Sequence, residues 1–263
     1  MTKILDLRQI TVAFGGLLAL QDVDLSVDAG ELISVIGPNG AGKSTLFNVA
    51  TGVIAPTSGT LTVCGQHITR FRPDVVHALG VGRTFQVARP IISLTVRENV
   101  LLGAGGKRLK RLTSAFRARS RDSALADRVD DLLSLAGLQH VAERSAGELS
   151  PGDQRRLEIA RAMADEPSVV LLDEPAAGIG ADGIRPLGNL IRAIQARGVA
   201  VLLVEHNVGL ALSLCDRALV LESGRVLAEG TPEAIRQDER VIAAYLGTRR
   251  PSREPGLSTG EQP

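Results

Sequence analysis

One short motif limits what this chain can fold into more strongly than any other feature of its sequence. Residues 37–44 read GPNGAGKS and fit the pattern G-x-x-x-x-G-K-[ST], between an apolar strand-like run (32–36) and a helix-like pattern (44–51). In that context the pattern predicts a phosphate-binding loop. Its glycines let backbone N–H groups turn inward, and the N-terminus of the following helix adds partial positive charge. We expect Lys43 to reach phosphate oxygens and the hydroxyl of Ser44 to ligate Mg²⁺.

The rest of the chain alternates between strand-like and helix-like patterns, which is typical of a largely parallel sheet flanked by helices. Apolar, β-branched-rich runs of buried-strand length lie at residues 32–36, 81–85, 169–172, 199–204 and 218–221. Helix-like patterns lie at 44–51, 74–78, 123–136, 151–164, 183–196 and 208–215. Runs with more alternation predict antiparallel strands at 4–12, 24–28 and 60–63. The fold class is therefore α/β: a P-loop NTPase with a mixed sheet core and an antiparallel β edge.

One stretch interrupts this alternation. Residues 89–147 contain no convincing buried strand and predict a helical insertion. Its basic run, 107–121, carries seven Lys or Arg and no acid, which suits either a contact with anionic lipid or a solvated loop. The predicted domains are a core (1–88 and 159–247), a helical subdomain (89–158) and a disordered tail (248–263) rich in Pro, Gly, Ser and charge.

Composition excludes several classes of protein. The formal net charge of +1 gives no general attraction to nucleic acid, and five Phe and one Tyr are few for stacking on bases. The longest stretch without polar side chains, residues 12–20, is much shorter than the ~18 residues of a membrane span. The two cysteines, Cys64 and Cys215, have no neighbouring Cys or His cluster. We expect a reduced, cytosolic protein that does not bind nucleic acid.

Polar side chains follow three of the predicted strands, where an open α/β sheet binds its ligands. The first strand leads into the phosphate loop, the second ends in Asp173 and Glu174, and the third ends at His206. Asp173 suits a Mg²⁺ partner, and Glu174 suits a general base for an attacking water. His206 could bond the terminal phosphate or hold that water, the alternative being a structural histidine. The other histidines are interpreted as structural: His67, His77 and His140.

These motifs together resemble a known family. GPNGAGKST at 37–45, Gln86, LSPGDQ at 149–154, LLDEP at 171–175 and His206 resemble the ATPase subunits of ABC transporters, in the same order. The similarity runs from about residue 4 to residue 247. Further strings at 13–20, 80–86, 155–163, 173–178 and 241–247 are similar to branched-chain amino acid importers, specifically to the ATPase with RTFQ before its insertion. A lipopolysaccharide-export ATPase and a soluble, non-transport ABC ATPase are the alternatives.

The resemblance implies a role for each matching residue. The nucleotide would contact the whole loop: Gly37, Pro38, Asn39, Gly40, Ala41, Gly42, Lys43, Ser44 and Thr45. Phe14 would stack on adenine, the alternative being a core aromatic. Ser44, Gln86 and Asp173 would hold Mg²⁺. The catalytic set would be Lys43, Gln86, Glu174 and His206.

Ser150 and Gly152 would cap the γ-phosphate of an ATP held by the opposite subunit. From the residues alone, this segment predicts a capped helix, with Ser150 at the N-cap, Pro151 at the first position and Asp153 completing a capping box. The family motif has glycine where Pro151 stands, and proline is tolerated in a first turn. A second departure is Gly180, where the family usually has a polar residue that crosses the dimer interface; Asp182 could substitute.

The resemblance also implies partners. They are a second ABC ATPase subunit (a copy of this chain or a sibling) that sandwiches two ATP molecules head to tail, integral membrane permease subunits, and indirectly a substrate-binding protein. A short permease helix would enter a groove near residues 86–100. The expected location is cytoplasmic, on the inner face of the cell membrane. A binding module without turnover is the remaining alternative, and the intact Lys43, Glu174 and His206 argue against it.

Overall fold

The computed structural model describes residues 2–84, 90–104 and 123–246. Its strands are β1 (Lys3–Phe14), β2 (Leu17–Asp28), β3 (Leu32–Ile36), β4 (Ser58–Val63), β5 (Gln66–His67), β6 (Val81–Arg83), β7 (Val169–Asp173), β8 (Ala200–Val204), β9 (Arg217–Glu222) and β10 (Arg225–Gly230). Its helices are α1 (Lys43–Ala50), α2 (Pro73–Ala78), α3 (Val96–Gly103), α4 (Ser123–Leu135), α5 (Pro151–Met163), α6 (Ala181–Ala196), α7 (Val208–Leu214), α8 (Pro232–Gln237) and α9 (Glu239–Leu246). Short 3₁₀ turns lie at Gln139–Val141 and Ala146–Glu148.

The central sheet has six strands in the order β10-β9-β3-β8-β7-β6. Strands β3, β6, β7, β8 and β9 are parallel to their neighbours, and β10 returns antiparallel to β9. Every residue of β3, β7 and β8 is buried, because helices or the second sheet cover both faces. The register pairs Val204 with both Val35 and Asp173, so three strands end level at one edge.

A second sheet of four antiparallel strands, in the order β2-β1-β4-β5, covers one face of the first. The core between them includes the fully buried Phe47 of α1. Helices α3 to α7 contribute the apolar residues of a second core on the other face. The predicted fold class, a mixed-sheet P-loop NTPase with an antiparallel β edge and a helical insertion, is confirmed.

The described part of the insertion is helical. Helix α3 begins with a complete capping box, in which Thr95 accepts from the Glu98 N–H and Glu98 accepts from the Thr95 N–H. The whole basic run 107–121 and the whole tail 248–263 lie outside the described residues. Helix α5 continues through residue 158, so the core and the helical subdomain share this helix. Their division at that residue remains a prediction.

Most limits of the predicted strands and helices agree with the structure to within a few residues, but β2 begins at Leu17, well before the predicted start at residue 24. Five elements were not predicted individually: β5, β10, α8, α9, and α3, which lies within the expected helical insertion. Strand β10 is an edge strand with mixed exposure, so it lacks the continuous apolar run that identified the buried strands. Within residues 2–84, 90–104 and 123–246, no helix is both long and apolar enough to cross a membrane.

Candidate active site

The phosphate loop lies between β3 and α1, and two of its positions admit only glycine. Gly37 has φ +155°, and a Cβ there would lie 2.2 Å from the carbonyl oxygen of Leu221. Gly42 has φ +103°, and a Cβ would lie 2.7 Å from the carbonyl oxygen of Ala19 in β2. A strand of each sheet therefore packs closely against the loop, and the two close approaches explain why glycine is required at positions 37 and 42.

Lys43 is the first residue of α1, and its side chain folds back over the loop. Its Nζ donates to the carbonyl oxygens of Gly37 (2.7 Å) and Pro38 (3.0 Å). Burial lowers the pKa of Lys43, and the nearby charge of Glu174 opposes that shift. The ammonium group is thus held over the loop by weak acceptors that a phosphate could replace.

Two carboxylates lie at the carboxyl end of β7. Asp173 ends the strand, and its N–H donates to Oγ1 of Thr84 at 3.3 Å. Glu174 has a left-handed backbone (φ +48°), and its N–H donates to the carbonyl of Val204 at 2.9 Å. Both side chains are buried, and burial raises the pKa of Asp173 while the charge of Arg83 opposes that shift.

His206 contacts the second carboxylate. Its Nε2 lies 2.6 Å from Oε1 of Glu174. The preceding residue, Glu205, accepts from the N–H of Ala176 at 2.8 Å, and burial is the main cause of its raised pKa. This bond ties the segment after β7 to the segment after β8. Lys43, Asp173, Glu174 and His206 are therefore brought together, as the sequence patterns predict; their roles remain predictions.

Sequence reasoning assigned no role to Arg83 or Thr84, which bond to Asp173 from the end of β6. Both residues belong to the string GVGRTFQ at 80–86, which in the sequence indicates only the subfamily. The rule that found Asp173 and His206, polar residues at strand ends, did not select Arg83, because the predicted strand ran over 81–85 and the observed strand ends at Arg83. Gln86, three residues later, lies outside the described residues.

Phe14 lies at the end of β1, where it pairs with Leu17 across a tight hairpin, and its side chain is 51% exposed. It is therefore not a core aromatic. The second strand of the same hairpin passes against Gly42 through Ala19. An exposed ring on a hairpin whose second strand contacts the phosphate loop is compatible with stacking on a base.

Ser150 and Gly152 lie at the N-terminus of α5, apart from that group of charges. The hydroxyl of Ser150 accepts from the N–H of Asp153 at 3.2 Å, which is the predicted N-cap. The predicted capping box is only half formed, because the Asp153 carboxylate accepts from the Ser150 hydroxyl and bonds to Arg156. Gly152 lies against the start of α6, with Gly183 as a near neighbour.

A cavity of about 590 Å³ lies between the sheet core and the helical part of the chain. Thr51, Val76 and Arg83 line it from the core, and Glu158 and Arg161 line it from α5. The groove for a permease helix was expected near residues 86–100; residues 85–89 lie outside the described residues, and the lining of this cavity includes none of residues 90–100, so the groove stays a prediction. Burial lowers the pKa of Arg161, and the charge of Glu158 opposes the shift.

The site could hold a hard cation together with a phosphate. Ser44 is exposed in the first turn of α1 and Asp173 supplies a carboxylate, and both offer the oxygen atoms that Mg²⁺ prefers. The part of the chain that is described contains no cluster of three His, Cys, Asp or Glu suited to a metal. A sparse oxygen set fits Mg²⁺ with nucleotide, because that ion usually keeps waters and takes phosphate oxygens as ligands.

The fold and the loop define the class: an α/β protein with a phosphate-binding loop at the carboxyl edge of its sheet. A family model described as "ABC transporter" matches residues 20–177, and one described as "Branched-chain amino acid ATP-binding cassette transporter" matches residues 225–250. The chain belongs to the ABC transporter family and is an ATPase subunit with a nucleotide-binding cassette. The resemblance inferred from its motifs is thereby confirmed.

Individual relatives refine this assignment. The chain is 42% identical over 252 residues to the high-affinity branched-chain amino acid transport ATP-binding protein LivG of Salmonella typhimurium, covering 93% of this chain and 98% of the relative. It is 33% identical over 245 residues to the lipopolysaccharide export system ATP-binding protein LptB of Haemophilus influenzae, with the same coverage.

Solved cassettes have the same fold. The ADP conformation of MJ1267, an ATP-binding cassette of an ABC transporter, is similar with a TM-score of 0.83 and 30% identity, covering 94% of this chain and all of that one. The dimeric structure of MJ0796, a bacterial ABC transporter cassette, has a TM-score of 0.72 and 27% identity, covering 87% of this chain and 98% of that one.

Proposed function

We propose that this chain binds Mg²⁺–ATP at the phosphate loop, hydrolyses it within a head-to-tail pair of cassettes, and thereby energises import of branched-chain or related amino acids. The observation that carries the hydrolytic part is the contact of Glu174 with His206 at 2.6 Å, within range of the Lys43 charge. A carboxylate next to a phosphate loop is suited to accept a proton from water.

Each residue then has one task. The loop N–H groups and Lys43 bind the phosphates, and the exposed ring of Phe14 covers the base. Oε1 of Glu174 accepts the proton of the attacking water, and His206 orients that carboxylate through Nε2. Gln86 completes the set near the water.

Mg²⁺ would be held by Ser44, Asp173 and Gln86 together with phosphate oxygens. When bound, the ion would neutralise negative charge on the phosphates. Asp173 is buried and already fixed from β6, so little reorganisation is needed for it to serve as a ligand or as the partner of a bound water.

The pair of cassettes is supported by where Ser150 and Gly152 lie. Both sit at the start of α5, with their contacts to α6 and to Asp153 rather than to the loop. A helix N-terminus attracts a phosphate, so this one can serve a nucleotide held by another chain. The MJ0796 cassette, a solved relative, is dimeric, which supports pairing of cassettes.

The substrate follows from the relatives. The higher identity to LivG than to LptB, and the matching C-terminal family model at residues 225–250, favour amino acid import over lipopolysaccharide export. Transport would take place through separate permease subunits, placing this chain on the inner face of the cell membrane. A binding protein would deliver the amino acid to those subunits.

The hydrolytic role is tested by Glu174→Gln, which keeps the size of the side chain and removes its basicity. We expect ATP affinity to be retained and turnover to fall by roughly 10²–10⁴-fold. The matched control is Glu239→Gln at the exposed start of α9, which should turn over like the wild type. Near wild-type turnover by the Glu174 variant would remove this residue from its role.

The transport role is tested by purification from solubilised membranes. Two hydrophobic permease subunits and a related ATPase should accompany the chain, and the purified complex in vesicles should accumulate leucine, isoleucine or valine when ATP is supplied. A complex that moves none of these but extracts lipopolysaccharide would support the alternative. The Lys43→Ala chain is the matched control for ATP-independent uptake.

A further inference from the structure

Arg83 joins two elements of the site that lie far apart in sequence. One guanidinium nitrogen, Nη1, donates to Oδ1 of Asn48 and to Oγ1 of Thr51, at 2.9 Å each. The other, Nη2, donates to Oδ2 of Asp173 at 3.2 Å. The side chain is 17% exposed, so most of it is removed from solvent.

The two acceptors, one in α1 and one at its C-cap, lie on the face of the helix that carries Ser44. Ser44, Asn48 and Thr51 are spaced i, i+4 and i+7, and this spacing repeats on one face of an α-helix. The first turn of α1 also carries Lys43. Arg83 therefore binds the helix whose first turn carries the Ser44 hydroxyl and the Lys43 ammonium.

On the other side, the end of β6 holds Asp173 at two points. Thr84 accepts from its backbone N–H at 3.3 Å, and Arg83 donates to its carboxylate. One oxygen of the carboxylate, Oδ2, is thus engaged by Arg83. A buried carboxylate that is fixed in this way loses little freedom when it binds a cation.

Only arginine can make this connection. Its planar guanidinium has donors that diverge from one carbon, whereas a lysine ammonium is a compact charge on a flexible stem. A lysine would keep the charge near Asp173 without joining it to α1.

We propose that Arg83 is a positioning residue that braces Asp173 against α1, so that Asp173 and Ser44 keep the separation that Mg²⁺–nucleotide requires. This inference rests on the proposed function, because it assigns the brace to the same phosphate and metal site. The brace acts before the nucleotide arrives and does not require Arg83 to touch the phosphates.

The test is nucleotide binding by calorimetry, in Mg²⁺ and again in EDTA, for the full chain and for Arg83→Lys. The quantity measured is the ADP dissociation constant in EDTA divided by the one in Mg²⁺. This ratio is the gain in affinity that the metal provides. We expect Arg83→Lys to reduce this ratio by about tenfold, because loss of a residue that orients a metal ligand commonly costs that much. The affinity in EDTA should change by less than about twofold, since Lys43 is held over the loop by its own bonds to Gly37 and Pro38.

Arg161→Lys is the matched control, because Arg161 lines the same cavity and its charge acts on Glu158 rather than on Asp173. It should keep the wild-type ratio. Asn48→Ala, which removes one acceptor of Arg83, should lower the ratio in the same direction by a smaller factor, and it serves if Arg83→Lys fails to fold.

An unchanged or increased ratio in Arg83→Lys would overturn the proposal, as would an equal loss of affinity in Mg²⁺ and in EDTA, which indicates a general disturbance of the loop. A wild-type chain that binds no nucleotide in either condition would instead refute the proposed function.

Discussion

At the scale of single residues, the site depends on charges held out of water by specific contacts. Lys43 is buried over the loop that it serves, and its Nζ donates to the carbonyl oxygens of Gly37 and Pro38. Neutral acceptors stabilise an ammonium less than a phosphate does. The side chain is therefore arranged to gain free energy when a phosphate replaces them.

Lys43→Ala should weaken nucleotide binding by at least tenfold, because a charge-assisted hydrogen bond contributes about 1.5–3 kcal/mol. Calorimetric titration with ADP measures the effect. Lys3→Ala is the control, since that lysine lies at the start of β1 with a 46% exposed side chain. Equal affinities for wild type and Lys43→Ala would show that the loop N–H groups bind the phosphates unaided.

Tyr245 contacts the phosphate loop at Gly37, and its contribution to stability should depend on pH. It lies in α9, burial raises its pKa to about 12, and its hydroxyl bonds to the backbone of Gly37. The folded state therefore favours the neutral phenol. The contribution of Tyr245 to the free energy of unfolding is fully present below pH 10, the ordinary pKa of tyrosine, and is lost as the pH rises toward 12.

Tyr245→Phe should therefore cost about 1 kcal/mol of unfolding free energy at pH 7, for the lost hydrogen bond. The deficit should shrink or reverse between pH 10 and pH 12, because phenylalanine cannot ionise. Urea unfolding of both proteins at pH 7, 9 and 11 gives the comparison. A deficit that stays constant with pH would mean that the hydroxyl does not change its environment on folding.

At the scale of elements, the start of α6 has a helix cap without a capping side chain. Gly180 is the N-cap residue, with φ −66° and ψ 164°, and a Cβ there would meet no atom within 4 Å. These angles are ordinary for any residue. The glycine at this family-atypical position is thus not required by the backbone, unlike Gly37 and Gly42.

Gly180→Asp should raise the free energy of unfolding by about 0.5–1 kcal/mol, since it adds a capping carboxylate and restricts the unfolded chain. Gly178→Asp is the matched control: it has equally open space but φ +74°, so the same side chain should cost about 1 kcal/mol there. Urea midpoints rank the three proteins. Equal shifts for both variants would refute the argument from backbone angles.

The sequence predicted those elements whose cause is local. Strands β3, β7 and β8 are fully buried, so their apolar runs are continuous, and the phosphate loop has a fixed glycine pattern. The contacts of Arg83 could not be predicted from local sequence patterns, because its partners Asn48 and Asp173 are 35 and 90 positions away. Which side chains meet across such distances is decided by strand order, and strand order was not predicted.

At the scale of the whole molecule, the site is assembled where several elements end. The phosphate loop follows β3, the two carboxylates follow β7, His206 follows β8, and Arg83 ends β6. Helix α5 connects the carboxylate site to the segment of Ser150. The charge of Arg155 in this helix acts on Asp173, and Ser150 is the N-cap of the same helix. Arg83 also lines the cavity between core and helices, so the cavity and the carboxylate share a residue.

One consequence concerns the pairing of chains. In the proposed head-to-tail pair, Ser150 and Gly152 at the start of α5 would complete the nucleotide site of the other chain. In the Glu174→Gln variant, ATP should convert a monomer into a dimer, measured by light scattering, because the bound γ-phosphate is not removed.

Adding Ser150→Asp should abolish that dimer while leaving the fold intact, because aspartate is an equally good N-cap but its charge repels a phosphate. Thr231→Asp, at the N-cap of α8, is the matched control and should leave the dimer unchanged. If the Ser150→Asp protein dimerises with ATP as before, the N-terminus of α5 does not meet the nucleotide of a partner. The pair would then have to be held together by other surfaces.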